Sequence, residues 1–144
     1  MIGGCERGSP QWRWLRATLA RKPGTRCTLA YWHHPRFSSG AHGSDARLAA
    51  FWDLLAAAKA DLVLSGHDHD YERIGPKKGI RSFVVGTGGR ATRSFELPRI
   101  GGSEAGSDSV HGVLQLSLRA TSYTWRFRAS AGATFTDAGS ALCR

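Results

Sequence analysis

The sequence predicts an α/β domain in which helices alternate with parallel strands and the chain ends in an antiparallel hairpin. Two segments carry apolar residues at steps of three and four, as one face of a helix does. Each leads into a short apolar run of strand length, and the order helix, strand, helix, strand implies parallel strands with covering helices. In the last third, apolar residues recur at every second position, the period of a half-buried strand.

The first helix is expected from Pro10 to about Ala20, with Trp12, Leu15 and Leu19 on one face, Ser9 as N-cap and Pro10 at the first helical position. Lys22-Pro23-Gly24 should end it, and residues 27–32 read as a buried strand with His33 and His34 at its C-terminal end. A Gly/Ser-rich loop then leads to a second helix over residues 45–59, carrying Leu48, Phe51, Trp52, Leu55 and Ala56 on one face. A second buried strand follows at 61–65, and a third at 80–86, after which the Gly-rich 86–89 segment reads as a turn approaching a site. Residues 99–109 read as a polar loop. Leu114, Leu116 and Leu118, then Tyr123, Trp125 and Phe127, predict a hairpin with one apolar face turned about 120–122.

Composition narrows the functions. A length of 144 residues fits one domain, and 41% hydrophobic with 22% charged residues excludes a disordered or fibrous chain. No apolar run is long enough to cross a bilayer, and Met1-Ile2-Gly3-Gly4 has neither the charged start nor the apolar stretch of a signal peptide. The net charge of +9 invites a nucleic-acid reading, but the arginines are scattered along the chain rather than gathered in a block. Nucleic acid therefore enters only as a substrate, and a basic surface would equally draw in any anionic ester. Cys5, Cys27 and Cys143 form no Cys-x-x-Cys pair. Their odd number implies a bridge partner elsewhere, or simply buried free thiols.

The chemistry concentrates in two places. Ser65-Gly66-His67-Asp68-His69-Asp70-Tyr71-Glu72-Arg73 directly follows an apolar strand. In extended chain, residues two apart point the same way, so His67 and His69 could aim into one cleft and serve one ion or two neighbouring ones. Gly66 would let the backbone turn closely beside them. Surface histidines bonded to solvent are the plain alternative. The second place is Trp32-His33-His34-Pro35, and its loop also carries His42. Because side chains alternate on a regular strand, one of His33 and His34 is expected to be a ligand and the other to support it. In open parallel sheets ligands bind beyond the carboxyl ends of the strands, where both clusters lie.

These residues resemble a known family. Ala30-x-x-His33 at a strand end, then Gly66-His67-x-His69 and Tyr71-Glu72-Arg73, are similar to the last two motif blocks of the calcineurin-like metallophosphoesterases, in their purple-acid-phosphatase-like bacterial branch. Gln11-Trp12-x-Trp14-Leu15, Phe83-Val84-Val85-Gly86-Thr87-Gly88-Gly89-Arg90 and Tyr123-x-Trp125-Arg126-Phe127 extend the resemblance over nearly the whole chain. It implies a four-layer α/β/β/α sandwich, of which residues 1–144 would be the C-terminal half. It further implies hydrolysis of phosphate monoesters or diesters by a metal-bound hydroxide at a dinuclear centre of Zn, Fe or Mn. His33 and His67 would bind one ion and His69 the other, with His42 near the substrate phosphate. His34, Asp68, Asp70, Tyr71, Glu72 and Arg73 would support the ligands from behind, a common arrangement around metal-bound histidine. An extracellular or periplasmic parent protein is also implied, while the oligomeric state stays open.

The family's remaining ligands, including a bridging Asp and an Asn, come from N-terminal blocks that this chain does not contain; it has no Asn at all. Three imidazoles without a bridging carboxylate leave two cations short of ligands and compensating charge. The expectation is therefore an inactive fragment with exposed sheet edges. Two further readings remain: a mononuclear Zn hydrolase using His33, His67 and His69, and a non-catalytic basic binding remnant.

Overall fold

A computed structural model describes residues 4–21 and 26–144. Helix α1 (Pro10–Ala20) starts as expected, with the Ser9 hydroxyl accepting from the Trp12 amide and Pro10 in the first turn. The expected helix stop at Lys22-Pro23-Gly24 lies outside the described residues. Asp45 caps a single 3-10 turn, Ala46–Leu48, which runs on into α2 (Ala49–Ala57).

Among the described residues, eight strands form two sheets. In chain order, β1 (Leu29–Tyr31), β2 (Leu62–Ser65), β3 (Tyr71–Lys77), β4 (Ile80–Val85) and β5 (Ser103–Ser107) build a mixed sheet in the spatial order β1-β2-β4-β3-β5. Strands β1, β2 and β4 are parallel, while β3 runs against both its neighbours. The second sheet, antiparallel, is β6 (Gly112–Leu118), β7 (Ser122–Ala129) and β8 (Ala138–Leu142).

The mixed sheet is covered on both faces, which explains why β2 reads as a continuous apolar run. Leu62, Tyr71 and Phe83 pack against Tyr123, Trp125 and Phe127 of β7, with the Tyr71 and Phe127 rings 4.4 Å apart. On the other face, Val63 and Ile80 meet Trp52 and Leu55 of α2, and α1 packs beyond through Trp12, Leu15 and Leu19. Helices, mixed sheet and antiparallel sheet thus form a mixed α/β stack. Among the described residues no helix covers the outer face of the second sheet.

Several expectations are corrected. The strand expected at 27–32 shrinks to Leu29–Tyr31 and is a sheet edge, not a buried strand, with Tyr31 80% exposed. Residues 71–77, to which the sequence assigned no element, form β3 in the interior of the sheet. Pro76 is tolerated there because the β3–β4 register is irregular between Ile74 and Lys77. The stretch read as a polar loop at 99–109 contains β5, whose Gly/Ser-rich sequence is held extended by pairing with β3. Cys27 and Cys143 are joined in a disulfide with 5.2 Å between Cα atoms, leaving Cys5 buried and free.

Candidate functional site

The parallel strands β1, β2 and β4 deliver their carboxyl ends to one rim, where the Gly66 amide donates to the His33 carbonyl at 3.0 Å and the Gly86 amide to the Asp70 carbonyl at 2.9 Å. A cleft of about 510 Å³ opens at that rim, lined by His33, His42, His67 and His69 together with Arg90 and Arg93.

The histidines converge for a reason other than strand alternation. Residues 66–70 have left the strand, and His67 adopts a left-handed backbone with φ of 65°. A Cβ on Gly66 would meet only the Val85 carbonyl at 3.8 Å, so Gly66 is not the tight point of the turn. Gly86 is, since a Cβ there would collide with the Asp68 carbonyl. His33 Nε2 and His67 Nδ1 lie 3.1 Å apart. Strand β1 ends before the histidine pair, so His34 is not thrown to the opposite side: its ring centroid is 4.1 Å from that of His67. Burial and the neighbouring imidazoles hold His67 below the usual histidine range, and burial with His33 does the same for His34. Neutral imidazole is the form that offers a lone pair to a metal. His69 donates from Nδ1 to the Ala91 carbonyl at 2.9 Å, which leaves Nε2 as its free nitrogen.

Beneath the histidines run three acids, all buried, Asp68 at 1% and Asp70 and Glu72 at 0% exposure. Asp68 accepts from the Ser38 hydroxyl, from the His42 amide at 2.9 Å and from His42 Nδ1 at 2.8 Å. Glu72 accepts from the Ser39 amide at 2.7 Å and the Ser39 hydroxyl at 2.6 Å. Asp70 sits between them with neither oxygen hydrogen-bonded, and burial, then the charges of Asp68, Glu72 and Asp108, push its carboxyl up to about 8. Gly40 closes over this trio, and a Cβ at that position would run into both Asp68 and Asp70. Tyr71 and Arg73 point the other way, to Asp137 near the second sheet.

Two nitrogens bound to one ion at about 2.0–2.1 Å stand about 2.9–3.4 Å apart, so the His33–His67 pair fits two adjacent positions of a coordination sphere. Among the described residues no group of three or more His, Cys, Asp or Glu side chains could hold an ion. The residues present thus fit one edge of a metal site and do not complete it.

The mixed and antiparallel sheets of this chain superpose on known structures. A purple acid phosphatase from yellow lupin seeds matches with a TM-score of 0.83 at 20% identity, over 94% of this chain and 28% of that protein. The fold is that of the calcineurin-like metallophosphoesterases. A second structure with this fold, the Plasmodium protein described as GAP50, the anchor in the inner membrane complex, matches with a TM-score of 0.78 at 21% identity, over 92% of this chain and 42% of that one. In sequence, purple acid phosphatase 18 of Arabidopsis thaliana is 34% identical over 73 residues, which is 47% of this chain and 17% of that protein. No family model matches. The chain therefore spans less than half the length of the metallophosphoesterase-fold proteins it resembles, and it corresponds to the C-terminal part of that fold.

Sequence reasoning placed the histidines but overlooked Ser38, Ser39, Arg90 and Arg93. The Gly-rich turn at 86–89 was the available signal: a segment approaching the site brings along whatever follows it, here two arginines.

Proposed function

We propose that this chain is the C-terminal part of a metal-dependent phosphoric ester hydrolase of the purple-acid-phosphatase-like bacterial branch. In this reading His33 and His67 hold one metal ion, His69 a second, and His42 stands near the substrate phosphate. The observation that carries the proposal is the gathering of His33, His42, His67 and His69 in one cleft at the tips of parallel strands, with two imidazole nitrogens at coordination spacing. Metal ions bound there would supply charge neutralisation of the phosphoryl group and a lowered pKa for water. The identity of the ions, Zn, Fe or Mn, follows from imidazole ligation only as a set.

The chain's own residues have definable parts. Asp68 fixes His42 with Nδ1 protonated and Nε2 toward the cleft, the Ala91 carbonyl turns His69 Nε2 outward, and Glu72 anchors the loop that carries His42. The incomplete coordination edge supports a chain with little turnover alone, and the small share of its relatives' length that it spans supports reading residues 1–144 as a partial domain. A single Zn on His33, His67 and His69 lacks the support that the His33–His67 spacing gives a shared ion, since among the described residues no group of three such side chains could hold one. The Cys27–Cys143 bridge supports an extracellular or periplasmic setting, since disulfides persist in oxidising compartments.

The test is metal titration of the whole chain with Zn and Mn, followed by assay on a chromogenic phosphate ester. Expected is measurable binding that His33→Ala and His67→Ala each weaken by tenfold or more, with negligible turnover. Robust turnover abolished by His67→Ala would overturn the inactivity, and metal binding indifferent to both substitutions would overturn the site.

A further inference from the structure

The loop leaving β4 brings two arginines to the histidine cleft, and nothing so far gives them a task. Its backbone is pinned at three points: the Arg93 amide donates to the His69 carbonyl at 3.2 Å, His69 Nδ1 to the Ala91 carbonyl at 2.9 Å, and His111 Nε2 to the Arg90 carbonyl at 3.1 Å. The carbonyls of this loop are thereby turned onto histidines, while the side chains of Arg90 and Arg93 line the cleft.

The charge of these arginines is not spent within the chain. Arg73, Arg81, Arg47 and Lys78 each pair with a carboxylate, whereas among the described residues neither Arg90 nor Arg93 has an acidic partner. Arg93 donates instead from Nη1 to His42 Nε2 at 3.0 Å. A guanidinium carries five donors in a planar fork suited to two oxygens of one oxyanion, and a single neutral imidazole uses only one of them. His42 is in turn held by the buried Asp68, so the row Asp68–His42–Arg93 aims a fixed cation into the cleft from a fixed direction. Among the described residues no acidic side chain lines that cleft, and Asp68, Asp70 and Glu72 are buried.

We propose that Arg93, assisted by Arg90, is the oxyanion-binding residue of this cleft, taking two oxygens of a phosphoryl group in its fork, with Asp68 and His42 as the residues that position it. The proposal deepens the phosphoric ester reading and rests on it for the choice of phosphate as ligand, yet it concerns groups that need no metal to act. Arg93 keeps its bond to His42 Nε2 and offers its remaining donors to the anion.

The test uses the whole chain, freed of metal with EDTA and titrated with inorganic phosphate by calorimetry at low ionic strength. Arg93→Gln is expected to weaken phosphate binding tenfold or more, Arg93→Lys by less, and Arg90→Gln by a few-fold. Arg13→Gln, on exposed α1, removes the same charge and should leave affinity within twofold. Circular dichroism checks that each variant is folded, and Arg93→Lys keeps the test decisive should Arg93→Gln fail to fold. The proposal is overturned if wild-type chain does not bind phosphate, if Arg93→Gln binds within twofold of wild type, or if Arg13→Gln loses as much. Phosphate binding that depends on Arg93, in a chain whose metal binding ignores His33 and His67, would sink the hydrolase reading and leave this one standing.

Discussion

Asp137 shows how one carboxylate ties the two sheets together. Its Oδ2 accepts from Tyr71 Oη at 2.6 Å and from Arg73 Nε at 2.8 Å, and its Oδ1 accepts from Arg73 Nη2 at 3.1 Å. Arg73 also pairs with Glu104 and lies 5.2 Å over the Trp125 ring, where Arg81 packs in the same manner. Burial alone would raise the Asp137 carboxyl, but the donors on Arg73 and Tyr71 outweigh it and hold the group below the usual carboxylate range. Removing one partner of a buried, hydrogen-bonded charge pair costs about 3–5 kcal/mol, and Asp137 is 8% exposed. Asp137→Ala is therefore expected to lose about 3 kcal/mol in urea unfolding at pH 7. The sign of the pH dependence follows from the depressed carboxyl: its contribution is full above the unfolded value of about 4 and fades as pH falls through the lower folded value. The gap between wild type and variant should narrow on acidification; a gap that stays constant from pH 7 to pH 3 would show that packing, not charge, holds this contact.

At the level of elements, the loop 35–44 and strand β3 behave as one unit. Alternation on β3 sends Tyr71 and Arg73 toward the second sheet and Glu72 to the opposite side, where it takes both the amide and the hydroxyl of Ser39. Ser39 in turn accepts from the Ile100 and Glu96 amides, so Glu72 organises two loops at once. Glu72→Gln offers one acceptor and one misplaced donor to two donors of Ser39, a loss of about 1.5–3 kcal/mol for bonds to a buried charge. Amides at 38–43 should exchange markedly faster in hydrogen exchange while those of β2 and β4 keep their protection; unchanged rates at 38–43 would deny the anchoring role. This unit also marks the limit of what the sequence makes legible. Both helices were readable because their apolar spacing is regular, and Ser9 caps the first of them locally. The strands β3 and β5 were not, because the polar residues that open β3 and the Gly/Ser run at 103–107 are held extended by their neighbours in the sheet, β3 by β4 and β5, and β5 by β3. The histidines were legible as a cluster, but the reasoning from strand alternation failed: His67 lies in a left-handed bend, which no residue pattern announced. Arg93 was invisible because its placement depends on His69 and His111, distant in the chain or in role.

Across the whole molecule, the sheet has two ends with separate duties. The carboxyl ends of β1, β2 and β4 carry the histidines and the arginine loop, and the opposite end carries the closure of the chain. There Cys27, just before β1, is bonded to Cys143, just after β8, across a sequence separation of 116. The same end is reinforced by Asp61, which accepts from the Thr28 and Arg144 amides, each at 2.7 Å. The bridge joins an edge strand of the first sheet to an edge strand of the second, so it restrains the unfolded chain over most of its length. By chain entropy a loop of that size is worth about 4–5 kcal/mol, and β1, with one neighbour and an exposed Tyr31, has few other restraints. Reduction, or a paired Cys27→Ser and Cys143→Ser substitution, is expected to lower the urea midpoint strongly. Phosphate affinity of the chain that remains folded should stay within twofold of wild type, because the binding groups hang from the other end of the sheet and keep their hydrogen bonds. A reduced chain with the wild-type midpoint would mean that the bridge is not what closes the sandwich. A midpoint and an affinity that fall together would mean that the two ends are one cooperative unit, with the cleft depending on a restraint at the far side of the fold.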